Sequence, residues 1–406
     1  MLYKIEVENF FSIRDRQVLD LTVAQNVPDP DGRYAPLFPG FDLRAPKVLA
    51  LYGPNASGKT TVLKALEFMF GFARDSSRRS DSGFACERFN DEEAAARPIR
   101  LAAELGGVMD LSPQVEAKLE AGEPVEYGLY RYELTIEVIG GTPRRVLTEA
   151  LRQKPGGRGK WQRVFERDAK GAILGSKSFA LPGYRHLVNT LRPNVSVISS
   201  FAMFEHPTAK LFVESIRHVM SNMALGDDAA LVALLRTRPD LVDLLNRDLK
   251  RIDIGVETMR IADAPNGPLP MFRHQGLHAE MPWGLESHGT RAFIRLFPIL
   301  ATALANGGIA IMDEFDVLIH PLILPEILRW FYDKQHRNPH DAQLWISCHS
   351  ASLMDDLTKE EVVLCEKDSR GRTRVFSLMD MKSVRRDDNL YRKYLSGVYG
   401  AVPQIG

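Results

Sequence analysis

The stretch that most constrains this chain is residues 48–72, VLALYGPNASGKTTVLKALEFMFGF. Five apolar residues read as a buried strand, and the run after the turn has the apolar spacing of a helix. Between them GPNASGKT, residues 53–60, fits G-x-x-x-x-G-K-[ST] with every fixed position in place. A strand, a glycine-rich turn and a helix start together make an anion cradle. Free backbone N–H groups point out of the helix N-terminus, and the helix dipole favours negative charge there. Gly53, Pro54, Asn55, Ala56, Ser57, Gly58, Lys59, Thr60 and Thr61 are therefore the expected phosphate-binding set. Lys59 would pair with phosphate oxygens and Thr60 would ligate Mg2+. Gly53 and Gly58 permit the backbone to wrap closely.

Further strands end in reactive side chains. Residues 309–314, IAIMDE, are an apolar run closed by two acids. A carboxylate at a strand end beside a phosphate loop can hold Mg2+ directly or through water, which assigns Asp313 to the metal. Glu314 is placed to orient and deprotonate an attacking water. Residues 344–349, LWISCH, form another apolar strand and end in His349, about 35 residues on with a helix between. That spacing makes the strands neighbours in a parallel sheet and puts His349 near a terminal phosphate.

Residues 284–297, GLESHGTRAFIRLF, run from a small polar cluster into helical periodicity that feeds the acidic strand. Taken alone, this is a cap on an ordinary helix. Set between a complete phosphate loop and an Asp-Glu strand, Ser287, His288, Gly289 and Thr290 become a second anion-binding helix start.

Composition narrows the class. The 406 residues are 45% hydrophobic and 26% charged, as in soluble globular proteins. Formal net charge is zero, so any nucleic-acid contact needs a local basic patch. Cys86, Cys348 and Cys365 form no CxxC pair, which suits free thiols in a reducing cytoplasm. The start, MLYKIEVENFFSIRDRQVLDLTV, alternates like a strand and carries charges at Lys4, Glu6 and Glu8, unlike a signal peptide. No apolar run reaches the roughly 18 residues of a membrane span, so a cytoplasmic location without membrane contact is expected.

Strands alternating with helices at both ends predict an α/β chain with a mainly parallel sheet plus an antiparallel β part. The boundaries fall at 1–98, carrying the phosphate loop, 99–204, rich in strand patterns such as YGLYRYELTIEVI, 205–283, read as a helical insertion, and 284–406. Other motifs carry less. The pairs His274/His278 and His336/His340 have four-residue spacing, but Gly276 and Pro339 spoil a helical metal face. RQKPGGRGKWQRVFER is basic with one Trp; it could touch a phosphate backbone, but a solvated hairpin tip is the preferred reading, because Gly-Gly marks a turn. CEKDSRGRT echoes the opening of a Toprim nuclease, yet too little chain follows for that domain, and a terminal strand and turn is the reading kept. With no nuclease, protease or deaminase constellation visible, a second chemistry is expected from a partner.

The order of phosphate loop, Ser-x-Gly, Asp-Glu strand and strand-end His resembles the ABC-type ATPases. It is similar in particular to the SMC/RecF/OLD-related branch and its stand-alone AAA-family ATP-binding proteins of bacterial phage-defence and abortive-infection systems. IEVENFFSI is like the I-x-N-F-x-S start of that branch, DEFDVLIHP resembles its D-E-x-x-x-x-x-H-P segment, and DDNLYRKYLSGVYGAVP resembles its C-terminal segment. The likeness covers residues 1–70 and 284–406. It implies a P-loop NTPase fold with an ABC-type ATPase head whose lobes are 1–98 and 284–406, and Mg2+-dependent ATP hydrolysis. It also implies a head-to-tail dimer or higher oligomer in which Ser287 and Gly289 reach the γ-phosphate in trans. Asp316 and His320 would occupy the D-loop-like positions. A separate effector such as a nuclease or toxin is the expected partner; a RecF/RecN-like repair ATPase binding DNA is the alternative. The chain departs from the pattern at ESHGT, where His288 holds a usual glycine position, and at Phe11, where an arginine often stands, with Arg14 the nearby substitute. His320 replaces a D-loop Asp, as in the OLD-like group. No Q-loop glutamine is identified; Gln114 and Gln153 are the only candidates, and each is read more readily as a surface residue.

Overall fold

The computed structural model describes residues 1–403 except 80–83, 111–114, 116–117, 119–120, 225, 253–254, 266 and 318. The chain opens with β1 (Leu2–Glu8) and β2 (Gln17–Asp20), an antiparallel pair, and the small ribbon β3 (Tyr34–Pro36) and β4 (Arg44–Pro46). β5 (Val48–Tyr52) leads through the glycine-rich turn into α1 (Lys59–Asp75). The strand-rich part then supplies β6 (Ile99–Val108), β7 (Tyr127–Ile139), β8 (Thr142–Pro155), β9 (Gln162–Arg167) and β10 (Ile173–Gly175). These pair antiparallel in the order β10-β9-β8-β7-β6-β1-β2. Burial alternates along β7 because one face of this sheet meets the core and the other meets solvent.

The region 205–283 departs from the helical expectation. It begins with α2 (Pro207–Ser215), but β11 (Val219–Ser221) then adds itself to the edge of the parallel sheet. Helices α3 (Asp228–Thr237) and α4 (Pro239–Arg251) follow, and β12 (Val256–Ala264), β13 (Gly267–His274) and β14 (Met281–Pro282) make a three-stranded antiparallel sheet. Val256, Met259 and Phe272 of this sheet share one apolar cluster with Leu245 and Leu249 of α4. Neither element buries its apolar side alone, so packing rather than local propensity selects the strand form here.

The C-terminal part contributes α5 (His288–Asn306), β15 (Ile309–Met312), α6 (Leu324–Tyr332), β16 (Gln343–Ser347), β17 (Val362–Lys367) and β18 (Thr373–Ser377). Together with β5 and β11 they form a sheet of order β11-β15-β16-β5-β17-β18, parallel except for β18. β15 and β16 are direct neighbours, as the intervening helix predicts. The CEKDSRGRT stretch, read as a terminal strand and turn, runs from the end of β17 into the start of β18, which pair as a hairpin.

β5 lies inside this sheet and is buried on both faces. Leu49 and Leu51 face a cluster with α1 and the antiparallel sheet, whereas Val48, Ala50 and Tyr52 face a cluster with α5 and α6. Trp345 of β16 is fully buried on the α1 side. Burying an aromatic of that size removes 150–250 Å2 from water, about 4–6 kcal/mol at ~25 cal/mol/Å2. Helices thus cover both faces, and the C-terminal ends of β5, β15 and β16 come together at one rim. Ligands of open α/β sheets bind at such a rim. Among the described residues no helix is long and apolar enough to cross a membrane.

Candidate nucleotide site

The turn after β5 is shaped by what presses on it. A Cβ on Gly53 would lie 2.1 Å from the Cys365 carbonyl oxygen, and one on Gly58 would lie 2.3 Å from Thr373 Oγ1. Both obstacles belong to the β17–β18 hairpin, which lies over the loop. Thr373 Oγ1 also donates to the Ser57 carbonyl at 2.9 Å. Gly58 (φ 107°) precedes α1 without any side-chain cap, and no acid sits in the first turn. The first N–H groups of α1 therefore remain free for an anion. Lys59 is 5% exposed, and its Nζ donates to the carbonyls of Gly53 at 2.8 Å and Pro54 at 3.1 Å. Burial lowers the pKa of this ammonium. The buried Ser57 Oγ has no partner among the described residues.

The side of the loop next to Thr60 is built from three strand and helix ends. Thr60 Oγ1 donates to Asp313 Oδ1 at 3.1 Å, and Ser347 Oγ donates to the same oxygen at 2.6 Å. Asp313 Oδ2 makes no hydrogen bond among the described residues. A hydroxyl and a carboxylate side by side are the hard oxygen donors that Mg2+ takes, so the residues present fit that ion. The Asp313 backbone is held as well: its N–H donates to Asn222 Oδ1 and its carbonyl accepts from Asn222 Nδ2, each at 2.8 Å.

Glu314 has φ 52°, a left-handed backbone that costs a non-glycine residue about 1–2 kcal/mol. Its N–H donates to Ser347 Oγ at 2.8 Å, and Phe315 N–H donates to the Ser347 carbonyl at 3.1 Å. These bonds hold the strained turn and leave the Glu314 side chain exposed at the rim. His349 also stands exposed there. Asp316 fixes its turn: Oδ2 accepts from His349 N–H at 2.9 Å and from Ser350 N–H.

One cavity of about 760 Å3 joins these parts. The loop from Asn55 to Thr61, Glu314, Ser347 and His349 line it, together with Phe11, Ser12, Arg88, Phe89, Lys367 and Gly371. Phe11, itself left-handed at φ 46°, occupies the wall where an arginine was sought. Arg14 does not substitute for it, being paired with Asp15, Asp91 and Glu93. Gln153 is corrected too: it lies on β8 opposite Tyr130 and lines no part of this cavity. Gln114 lies outside the described residues.

The Ser287 cluster stands apart from this cavity within one chain. Ser287 caps α5, its Oγ accepting from Thr290 N–H at 3.0 Å. Ser287, His288, Gly289 and Thr290 line a separate cavity of about 550 Å3 together with Val317 and His320. Leu285, Val317 and Leu322 beside it are 69%, 53% and 80% exposed.

Sequence reasoning missed Ser347, Asn222, Ser12, Lys367 and Thr373. Ser347 had a signal, since it ends the strand that carries His349. Ser12 stands in the quoted IEVENFFSI start, and Lys367 and Thr373 in the quoted CEKDSRGRT stretch, but their place beside the loop is set by contacts across the fold, as is that of Asn222.

A family model described as AAA domain, putative AbiEii toxin, Type IV TA system matches residues 48–120 and 180–355. The chain belongs to this family. It thus carries an AAA domain, built on the mixed α/β fold described above. Among solved structures, the SMC head domain from Thermotoga maritima is 13% identical, with a TM-score of 0.41 over 93% of this chain and 98% of that one. An SmcHead crystallised with the C-winged helix domain of ScpA is also 13% identical, with a TM-score of 0.43 over 93% of this chain and 97% of that one. No curated protein matches the sequence. The family match spans the loop, the Ser287 cluster, the acidic strand and His349, the residues this AAA-family chain gathers at its rim or beside it.

Proposed function

We propose that this AAA-family protein binds and hydrolyses ATP with Mg2+, and does so as a head-to-tail dimer or higher oligomer. The observation that carries the reading is the meeting of Thr60, Asp313 and Ser347 at the mouth of the glycine-rich loop. The free N–H groups of α1 and the Lys59 ammonium hold the phosphates. Thr60 and Asp313 are the residues that would hold Mg2+, which when bound neutralises charge on the phosphate oxygens. Glu314 accepts the proton of the attacking water, and His349 donates to the terminal phosphate. Ser287, His288, Gly289 and Thr290 of a second copy bring their helix start to the same phosphate, with Asp316 and His320 at the seam.

The biological output in this reading is control of a partner effector, such as a nuclease or toxin, during bacterial anti-phage defence in the cytoplasm. The family description, which speaks of a putative toxin in a Type IV system, supports it. Phosphate release from ATP by the purified chain, with Mg2+ and with EDTA, tests the core of the proposal. Mg2+-dependent release is expected; no release together with no ATP binding would remove it.

A further inference from the structure

Asn222 follows directly on β11, whose parallel pairing with β15 ends at Ser221 opposite Ile311. Beyond that point the Asn222 side chain takes over the ladder. Its amide accepts from Asp313 N–H and donates to the Asp313 carbonyl, both at 2.8 Å. One neutral side chain therefore holds both backbone polar groups of the residue whose carboxylate receives the Thr60 and Ser347 hydroxyls. Further along the same segment, Asp228 accepts from Trp283 Nε1 at 2.8 Å and from Arg295 Nε at 2.8 Å and Nη2 at 3.0 Å. Trp283 stands just ahead of the Ser287 loop, and Arg295 belongs to the helix that Ser287 caps. The segment that begins at Asn222 is thus anchored to the acidic strand at one end and to the Ser287 helix at the other.

We propose that Asn222 is a positioning residue for Asp313 as metal ligand, and that Asp228 links this setting to the Ser287 helix start. The inference rests on the Mg2+ and ATP reading above. A ligand carboxylate goes where its backbone carries it, and the groups that orient a ligand tune metal affinity without touching the metal. A side-chain amide suits this task because it fixes the strand end without adding charge beside the carboxylate. The Asp228 pairs then tie metal occupancy in one copy to the loop that the same copy offers to the next.

Mg2+ is titrated into wild type, Asn222→Ala, Asn222→Gln and Asp228→Asn in the presence of a fluorescent ATP analogue. Mn2+ coordination is followed by electron paramagnetic resonance, and melting temperature is recorded for each. Asn222→Ala should raise the half-saturating Mg2+ concentration by about 10-fold, with analogue affinity in EDTA and melting close to wild type. Asn222→Gln keeps the amide but misplaces it, so it should show the same shift. Asp228→Asn should move the midpoint in the same direction by less. Wild-type midpoints in both Asn222 variants overturn the positioning role, as does an equal loss of EDTA affinity and melting temperature. An unmoved midpoint in Asp228→Asn overturns the link to the Ser287 helix. Wild type that binds the analogue without any response to Mg2+ instead sinks the metal reading itself, and the inference with it.

Discussion

The Thr60 hydroxyl and the Asp313 carboxylate meet at 3.1 Å although 253 residues separate them in the chain. The strands that lead to them, β5 and β15, are not neighbours; β16 lies between. Ser347 at the end of β16 fills that gap, giving one hydrogen bond to Asp313 and taking another from Glu314. The order of these groups along the rim is therefore an order of strands, with each strand end supplying one group.

Lys59→Ala should abolish tight nucleotide binding while the fold survives. The wild-type Nζ already spans the loop carbonyls of Gly53 and Pro54, so it is held where phosphate oxygens would pass. A charged hydrogen bond contributes about 1.5–3 kcal/mol, roughly 10- to 100-fold in affinity. Calorimetric titration with ATP reads this, and an unchanged Kd would remove Lys59 from the phosphate site.

Glu314→Gln keeps the side chain's size but takes away the base. Turnover should fall by about 100- to 10,000-fold, while ATP binding persists and an ATP-loaded oligomer accumulates. Steady-state phosphate release and light scattering measure the two effects. A variant that turns over like wild type shows that another group takes the proton.

Ser287→Arg places a long cation at the start of α5. Turnover and ATP-dependent association should both disappear, whereas ATP binding by the loop of the same chain should not, because Ser287 lies in a different cavity. Loss of the cap to Thr290 N–H costs about 1 kcal/mol of stability. If turnover and oligomeric mass are unaffected, the cluster is only the cap of its helix.

His206 gives a pH signature unrelated to nucleotide. The ring is 1% exposed, packs against Phe179 at 4.2 Å between ring centroids, and accepts from Ala209 N–H at 3.4 Å through Nδ1. Burial lowers its pKa below the ordinary 6.5. Between the folded and unfolded values the unfolded chain binds more protons. Stability therefore rises with pH in that window and is lost as pH falls below 6.5. His206→Asn keeps a capping oxygen and removes the titrating ring, so its melting temperature should vary less between pH 5 and pH 7, values spanning about the histidine range. Parallel slopes for variant and wild type would assign the acid sensitivity elsewhere.

Much of the site was legible before the fold was known. GPNASGKT announced itself because a phosphate cradle is made of consecutive backbone groups, and its glycine spacing is a local requirement. The strands ending in Asp313 and His349 were readable from apolar runs stopped by polar residues, and their adjacency from the helix between them. The sheet β12–β13–β14 was not readable, since its residues become strands only by packing on α4. Arg14 and Gln153 looked eligible in the sequence because nothing there shows that Arg14 is paired with acids or that Gln153 lies on the other sheet.

Loop, strand end and helix start are each written in a short contiguous stretch, so the residue types of every rim element can be read from the chain alone. Which of them meet is settled by the fold. Strand order brought Thr60 to Asp313 and Ser347 between them; the β17–β18 hairpin pressed on Gly53 and Gly58; and the side chain of Asn222 closed on the Asp313 backbone. Each of these contacts joins residues far apart in the chain, and their geometry is set by how the two sheets pack around α1 rather than by any local preference.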